Sequence, residues 1–331
     1  MSRRTAAPEL DHPYTPQVPN QRTAFRVASA VVAVTLAAAG TASAQELEPR
    51  AYSPSPLGTN FFGIVLGNSQ GGVLFDPAVP ITDADASINT ASLAYGRTFG
   101  LWGRQGLVTV AVPYAWGDVE GFVAEEARRV TRSGLADARV KASLNLLGSP
   151  ALDRKAFAAA SRGTILGLSL TVQAPVGEYD NTKLINLGTN RWSFKPEVGV
   201  SVPVGRWFLD AYAGAWFFTD NDEFYPGEVM RSQDPVTTLQ LHAGYTFRSK
   251  AWVAFDATWY GGGAATSDDG PPSERLNNSR LGATLAIPIT ARQSLKIGAS
   301  TGASARVGSD FDSVAVAWQM LWFDSAGQPK P

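Results

Sequence analysis

Residues 164–175 read TILGLSLTVQAP, a stretch in which apolar side chains alternate with small or polar ones. Leu166, Leu168 and Leu170 fall on one face of this stretch, and Ser169 and Thr171 fall on the other. Because successive side chains of a β-strand point to opposite faces of the sheet, the alternation predicts a strand. The stretch is longer than an ordinary strand and has the length that crosses a bilayer at a tilt.

Two later stretches repeat this pattern, namely residues 191–202 (RWSFKPEVGVSV) and residues 207–218 (WFLDAYAGAWFF). In both, the face opposite the apolar one carries charges such as Lys195 and Asp210. A dry protein core does not tolerate unpaired charges. An apolar outer face with a polar inner face is typical of a transmembrane barrel. The sequence therefore predicts an all-β fold, a transmembrane antiparallel up-and-down β-barrel of about twelve strands over residues 58–323.

Connection lengths support this topology, because short and long connections alternate along most of the predicted barrel. The charged residues 117–134 are predicted to form an outer loop, whereas residues 148–163 are long where a short inner turn is expected. In the first predicted strand, residues 58–68, either Phe61 or Phe62 can face outward. Aromatic side chains at predicted strand ends indicate the two interfacial girdles of such barrels, with Trp116, Trp192, Phe217 and Trp259 at the outer rim and Trp207, Phe247 and Trp322 at the inner rim.

The N-terminal region has the features of an export signal. Residues 27–39 form an apolar run after two arginines, and Ala42 and Ala44 complete an A-x-A cleavage site. We therefore expect residues 1–44 to be a signal peptide with a long n-region, cleaved before Gln45. Residues 45–57 are predicted to be an irregular lead-in, because prolines stand at positions 54 and 56, and residues 324–331 are predicted to be a C-terminal tail. The rest of the chain has no apolar run long enough for a helical span.

Charged and polar residues on the predicted inner faces are the candidate site residues. They would line a lumen and set its selectivity, or they would pair with one another inside a closed barrel. Trp216 and Trp252 point inward in the same phase and form either an aromatic path or simple packing. Residues 181–190 form either a constriction loop or a loop stabilised by its own turns. The lumen-lining candidates are Asp137, Arg139, Lys141, Arg191, Lys195, Glu197, Asp210, Tyr212, His242, Asp256, Arg280 and Lys296.

The sequence offers little for catalysis. Its two histidines are His12, which precedes the predicted cleavage site, and His242. No zinc signature, phosphate-binding loop or dinucleotide fingerprint is present. We therefore expect no enzyme, no catalytic residue, no metal site and no cofactor. An outer-membrane lipid-modifying enzyme is the remote alternative, which a serine beside His242 would favour.

Three segments resemble the outer-membrane transporter family described as putative MetA-pathway of phenol degradation. They are residues 133–140 (SGLADARV), residues 173–180 (QAPVGEYD) and residues 186–196 (NLGTNRWSFKP). The resemblance extends over most of the chain after the signal. It implies an outer-membrane β-barrel grouped with channels for aromatic or hydrophobic compounds, and it brings no catalytic residues.

Together, pattern and resemblance predict a channel for passive uptake of small hydrophobic or aromatic compounds across the outer membrane of a Gram-negative bacterium. The expected partners are outer-membrane lipid, a small apolar or aromatic solute and the barrel-assembly machinery. Nucleic acid is not expected, since the formal net charge is −1. The alternative is a non-conducting barrel with a binding or structural role.

Overall fold

The computed structural model describes residues 47–74, 81–123, 126–225, 227–268, 270–306 and 308–324. The predicted signal peptide and nearly all of the predicted tail lie outside these residues. Within the described ranges, no helix combines the length and the apolar character that a membrane span requires.

The described residues are almost entirely β-structure, with one short helix. The elements are β1 (Thr59–Leu74), β2 (Ile81–Leu101), β3 (Arg104–Val123), β4 (Glu126–Leu135), β5 (Ala138–Leu147), α1 (Arg154–Ala159), β6 (Ile165–Ala174), β7 (Ser193–Val204), β8 (Trp207–Phe218), β9 (Asn221–Phe224), β10 (Val229–Gln233), β11 (Val236–Thr246), β12 (Trp252–Gly262), β13 (Ala265–Ser267), β14 (Leu276–Pro288), β15 (Gln293–Ser304) and β16 (Gly308–Phe323).

Thirteen of these strands form one closed antiparallel sheet. β1 pairs with both β2 and β16, so the first and last strands of the chain close the barrel. β4 and β5 both pair with the same edge of β3, β4 along its outer part and β5 along its inner part. Since these two strands share one place in the wall, the barrel has twelve strand positions, 13 − 1 = 12. The structure confirms the predicted all-β antiparallel barrel.

The alternation of side chains between the two faces is also as predicted. Leu168 is 44% exposed and Leu170 is 45% exposed on the outer face, whereas Ser169 between them is only 8% exposed. Phe61 is completely buried, so in the first strand Phe61 points into the barrel and Phe62 points outward. The outer surface therefore presents apolar side chains, as a bilayer-facing wall requires.

The prediction of a loop over residues 117–134 is wrong. β3 continues to Val123 and pairs there with β4, so that Asp118 lies opposite Thr131 and Glu120 opposite Arg129. The outward face of this extension is polar because it lies beyond the outer aromatic residues, where apolar alternation is not needed. β1 is likewise longer than predicted, because it extends to Leu74. β9, β10 and β13 form a small separate sheet within the predicted outer loops.

The long connection over residues 148–164 contains α1, which explains why it exceeds an inner turn. Asp153 caps this helix, since its carboxylate accepts a hydrogen bond from the Ala156 amide at 2.8 Å. The connection also contacts the N-terminal residues, because the Leu57 amide donates to the Leu152 carbonyl. The inner end of the barrel is thereby joined to the segment that precedes β1.

Candidate functional site

The predicted lumen residues lie on the inner face of the barrel or at its mouth. Lys141 and Lys296 are half-buried on inward positions of β5 and β15. Arg191 is half-buried in the loop just before β7, which begins at Ser193 and not at residue 191 as predicted. The remaining nine are buried: Asp137, Arg139, Lys195, Glu197, Asp210, Tyr212, His242, Asp256 and Arg280. Trp216 and Trp252 are buried as well.

Residues 47–57, which we call the N-terminal segment, run through the interior of the barrel. The Glu48 amide donates to Gln240 on β11 at 3.4 Å, and the Arg50 amide donates to Asp210 on β8 at 2.8 Å. Further along, the Ser55 amide donates to the Gln105 side chain on β3 at 3.0 Å. The segment forms no strand or helix. The sequence did not indicate that it enters the lumen.

Tyr52 is the largest fully buried side chain of this segment, at 2% exposure. Its ring lies against Gly167 and Gly199, which face each other across β6 and β7. A Cβ atom at either glycine would lie 2.1 Å from a ring carbon of Tyr52, a distance that real contacts do not show. The Tyr212 ring packs edge-on against the Tyr52 ring, with centroids 5.2 Å apart. Both strands therefore need glycine at these positions.

The Tyr52 hydroxyl lies at the polar end of this enclosure. It is 3.0 Å from the Ser169 hydroxyl and donates to Glu197 Oε1 at 3.1 Å. Burial raises the pKa of the Tyr52 phenol, and the neighbouring Glu197 carboxylate raises it further, so the ring stays neutral. We call this enclosure the Tyr52 pocket; its walls are Gly167, Ser169, Glu197, Gly199 and Tyr212.

Glu197 also connects the pocket to the basic residues of the lumen. Lys195 Nζ is 3.1 Å from Glu197 Oε2, and Lys141 Nζ is 3.7 Å from Glu197 Oε1. Lys141 in turn forms a 2.6 Å ion pair with Glu48 of the N-terminal segment. Buried charges are tolerated when they are paired in this way. The segment thus supplies both an aromatic ring and a carboxylate to the barrel interior.

Arg50 holds the segment against a second aromatic group near the inner end. Its guanidinium carbon lies 4.5 Å from the centroid of the Phe208 ring and 5.4 Å from that of the Trp252 ring. Burial, followed by the positive charge of Arg162, lowers the pKa of Arg50 to about 10. The side chain is therefore still a cation at neutral pH, and the two rings stabilise it in place of water.

His242 lies inside the wall with aspartates on both neighbouring strands. Its register partners are Asp210 on β8 and Asp256 on β12, and its Nδ1 is 2.7 Å from Asp256 Oδ1. The Thr284 hydroxyl donates to the other oxygen of Asp256 at 2.8 Å. The residues opposite His242 are thus both acidic, where the enzyme alternative calls for a serine. Across the described part of the chain, no three acidic or histidine side chains group in a way that could hold a metal ion.

At the outer end, Asp137 anchors the loop over residues 175–192 to the wall. Its carboxylate accepts hydrogen bonds from the Gly177 amide at 3.0 Å and from the Thr189 amide at 3.0 Å. It also accepts the Thr189 hydroxyl at 2.6 Å. The loop predicted either to constrict the lumen or to stabilise itself is therefore attached to a buried residue of the barrel, at the break between β4 and β5.

Arg191, near the end of this loop, contacts an aromatic ring and a polar side chain. Its guanidinium carbon lies 4.4 Å from the centroid of the Phe218 ring, and the guanidinium donates to the Gln233 side chain. Burial, and then the charge of Arg231, lowers the pKa of Arg191 to about 10. Arg191 thus joins the loop to the small outer sheet, of which Gln233 is part.

Sequence reasoning missed the N-terminal segment, although one signal pointed to it. Gly167 and Gly199 both occupy inward positions in strands that otherwise alternate without interruption. A glycine in a strand interior often marks the close approach of another group. The two glycines thus indicated space for a partner, but the sequence did not identify Tyr52 as that partner.

Comparison with known proteins agrees with this architecture. The model of the family described as putative MetA-pathway of phenol degradation matches residues 66–319. The COG4313 outer membrane channel from Pseudomonas putida F1 superposes with a TM-score of 0.68 at 20% identity, over 83% of this chain and 99% of that one. The β domain of the Bordetella autotransporter BrkA gives a TM-score of 0.48 at 12% identity, over 80% of this chain and 100% of that one. No curated protein sequence matches significantly. The chain therefore has the fold of an outer-membrane channel and belongs to the family described as putative MetA-pathway of phenol degradation.

Proposed function

We propose that the protein is a passive channel for small hydrophobic or aromatic compounds in the outer membrane of a Gram-negative bacterium. We further propose that the N-terminal segment closes its resting lumen. The observation that carries this proposal is the position of the segment, which fills a polar interior without pairing as a strand in the wall. Its contacts are single hydrogen bonds, ion pairs and ring contacts, which can be exchanged for contacts with water or a solute.

The wall of the lumen supports a solute pathway. It carries cations and anions from several strands, together with inward aromatic rings such as Tyr212, Trp216 and Trp252. If Glu48 leaves with the segment, Lys141 loses its 2.6 Å ion-pair partner. Release of the segment would thus remove the carboxylate that faces Lys141. Family membership supports aromatic compounds as the solutes.

The test is the single-channel conductance of the refolded chain in a planar bilayer. The chain beginning at residue 45 is compared with a chain beginning at residue 58, which lacks the segment but keeps β1 intact. We expect low or intermittent conductance from the longer chain and steady, larger conductance from the shorter one. A matched Arg128→Ala variant, which removes an exposed ion pair with Glu126 on β4, should behave like the unaltered chain.

A non-conducting binding or structural barrel remains the second candidate, and the paired charges of the interior favour it. Lys195 with Glu197 is a buried ion pair, and His242 with Asp256 a buried hydrogen bond, of the kind that a closed barrel would contain. A folded barrel that lacks residues 45–57 and still does not conduct would refute the channel and support this alternative. Folding is checked independently by the heat-dependent shift in electrophoretic mobility that intact barrels show.

A further inference from the structure

The residues that form the Tyr52 pocket belong to the barrel wall, and one of them, Tyr212, also accepts a hydrogen bond from the Ala51 amide of the N-terminal segment at 3.1 Å. The five residues of the pocket lie on β6, β7 and β8, three consecutive neighbours in the sheet. Ser169 is directly opposite Glu197, and Gly199 is directly opposite both Gly167 and Tyr212. Removal of Tyr52 would therefore leave a pocket whose floor and polar end are fixed by backbone pairing.

The shape of the pocket matches one aromatic ring. The paired glycines clear a flat area on the wall, because a Cβ atom at either position would overlap the ring. Tyr212 closes one side with an interplanar angle of 72°, the edge-to-face arrangement that aromatic pairs favour. Flatness and an aromatic side wall suit a planar ring better than a branched aliphatic group of the same volume.

The polar end of the pocket selects for a neutral hydroxyl group. The Glu197 carboxylate is an acceptor, and the Ser169 hydroxyl can donate or accept. A phenol donates its proton to the carboxylate, as Tyr52 does. A phenolate or a benzoate offers no proton to the carboxylate, and toluene would leave Glu197 Oε1 without the hydroxyl donor that Tyr52 supplies.

We infer that the Tyr52 pocket is a binding site for neutral monocyclic phenols, and that Tyr52 occupies it as an internal substitute for such a ligand. The inference deepens the proposed function and rests on it in one respect, since the segment must be able to leave the lumen. Tyr52 and the solute compete for one pocket, so a phenol that enters favours the released segment. The ligand thereby promotes the opening of its own path.

The experiment uses 4-methylphenol, which has the structure of the tyrosine side chain, and toluene, which has that of the phenylalanine side chain. Binding to the refolded Tyr52→Ala chain in detergent is measured by isothermal titration calorimetry at neutral pH. We expect one 4-methylphenol per barrel, bound at least about tenfold more tightly than toluene, as the loss of a hydrogen bond to a charged acceptor implies. The unaltered chain should bind 4-methylphenol at least about tenfold more weakly, because Tyr52 occupies its pocket.

The matched control is the Tyr52→Ala/Gly199→Ala chain, in which the added methyl group takes the space of the ring. This double variant is measured in the same detergent and has nearly the same composition as the single variant. Its heat of titration therefore reports any partition of the ligand into detergent. Equal heats from 4-methylphenol and toluene, or equal binding by the single and double variants, would overturn the inference. If Tyr52→Ala does not fold, the chain beginning at residue 58 presents the same open pocket.

Failure of this inference and failure of the proposed function give different results. If the chain binds 4-methylphenol but never conducts, the inference of a phenol site stands and the proposal of a channel fails. If the chain conducts without the segment but binds 4-methylphenol no better than toluene, the proposal of a channel stands and the inference of a phenol site fails.

Discussion

Replacement of Gly199 by alanine should release the N-terminal segment while leaving the barrel intact. The new methyl carbon would lie 2.1 Å from the Tyr52 ring and 2.7 Å from the Tyr212 ring, so the Tyr52 ring must leave its pocket and the Tyr212 ring must shift. The lost contacts are the hydrogen bond to Glu197, worth ~1.5–3 kcal/mol for a charged acceptor, and the burial of the ring, worth ~1.5–3 kcal/mol. Since other anchors such as Arg50 remain, we take about 3 kcal/mol as the loss in docking free energy, which is about a hundredfold in the docking equilibrium.

The assay is limited trypsin digestion, with mass spectrometry of cleavage after Arg50. In the docked state this residue lies inside the barrel against Phe208 and Trp252. When opening is fast relative to cleavage, the cleavage rate follows the open population. The rate should therefore rise by about two orders of magnitude in Gly199→Ala, given the free-energy change above.

Gly298→Ala is the matched control for this experiment. Gly298 is a half-buried glycine on β15, and a Cβ atom there would meet only the Thr284 hydroxyl at 4.0 Å. Its cleavage rate should equal that of the unaltered chain. The same slow rate in Gly199→Ala would refute the reasoning, because it would mean that the ring is not confined as the structure shows.

Three further predictions concern the wall and the outer loop. Leu168→Arg places a charge on the exposed outer face of β6 and should destabilise the barrel in lipid vesicles by ~2–4 kcal/mol, measured by denaturant unfolding. Ser133→Arg on β4, level with the outer aromatic residue Trp116, should cost far less, and equal costs would show that the membrane lies elsewhere. Asp137→Asn should weaken the hydrogen bonds that hold the outer loop by ~1.5–3 kcal/mol. Trypsin cleavage after Lys183 should then be more than tenfold faster, and an unchanged rate would show that the loop is held by other contacts. The Asp180 carboxylate accepts a hydrogen bond from the Lys183 ammonium, which with Thr182 lowers its pKa to about 2. This local stabilisation is therefore present above about pH 4 and is lost as the pH falls towards 2; a carboxyl titration by NMR should show it, and Lys183→Ala should return the pKa towards its ordinary value.

The barrel itself could be predicted from the sequence because its signal is local. A strand that faces lipid on one side and the lumen on the other alternates over its whole length, as Leu168, Ser169 and Leu170 do. The same phase also gives the inward direction of residues such as Lys195 and Glu197. Strand positions and side-chain directions were predictable because both depend on neighbouring residues alone.

The outer extension of β3 and β4 could not be predicted in this way. Beyond the outer aromatic residues neither face meets lipid, and the outward positions carry polar side chains such as Asp118, Glu120 and Arg129. A charged run of this kind resembles a loop in sequence. Its pairing becomes visible only in the structure, where these side chains face one another across the ladder.

The position of the N-terminal segment could not be predicted because its contacts are distant in sequence. Glu48 and Gln240 are separated by 192 residues, and Tyr52 and Glu197 by 145. No periodicity connects positions so far apart. Pro54 and Pro56 indicated an irregular segment, but the place where an irregular segment lies is decided by the rest of the fold.

The long separation of these contacts also sets an order of assembly. The residues that receive the N-terminal segment lie on β3, β5, β6, β7, β8 and β11. No binding surface for the segment exists until most of the wall has formed, and contacts of such high sequence separation form slowly. The part of the mature barrel that emerges first from the ribosome is therefore the last to reach its final place.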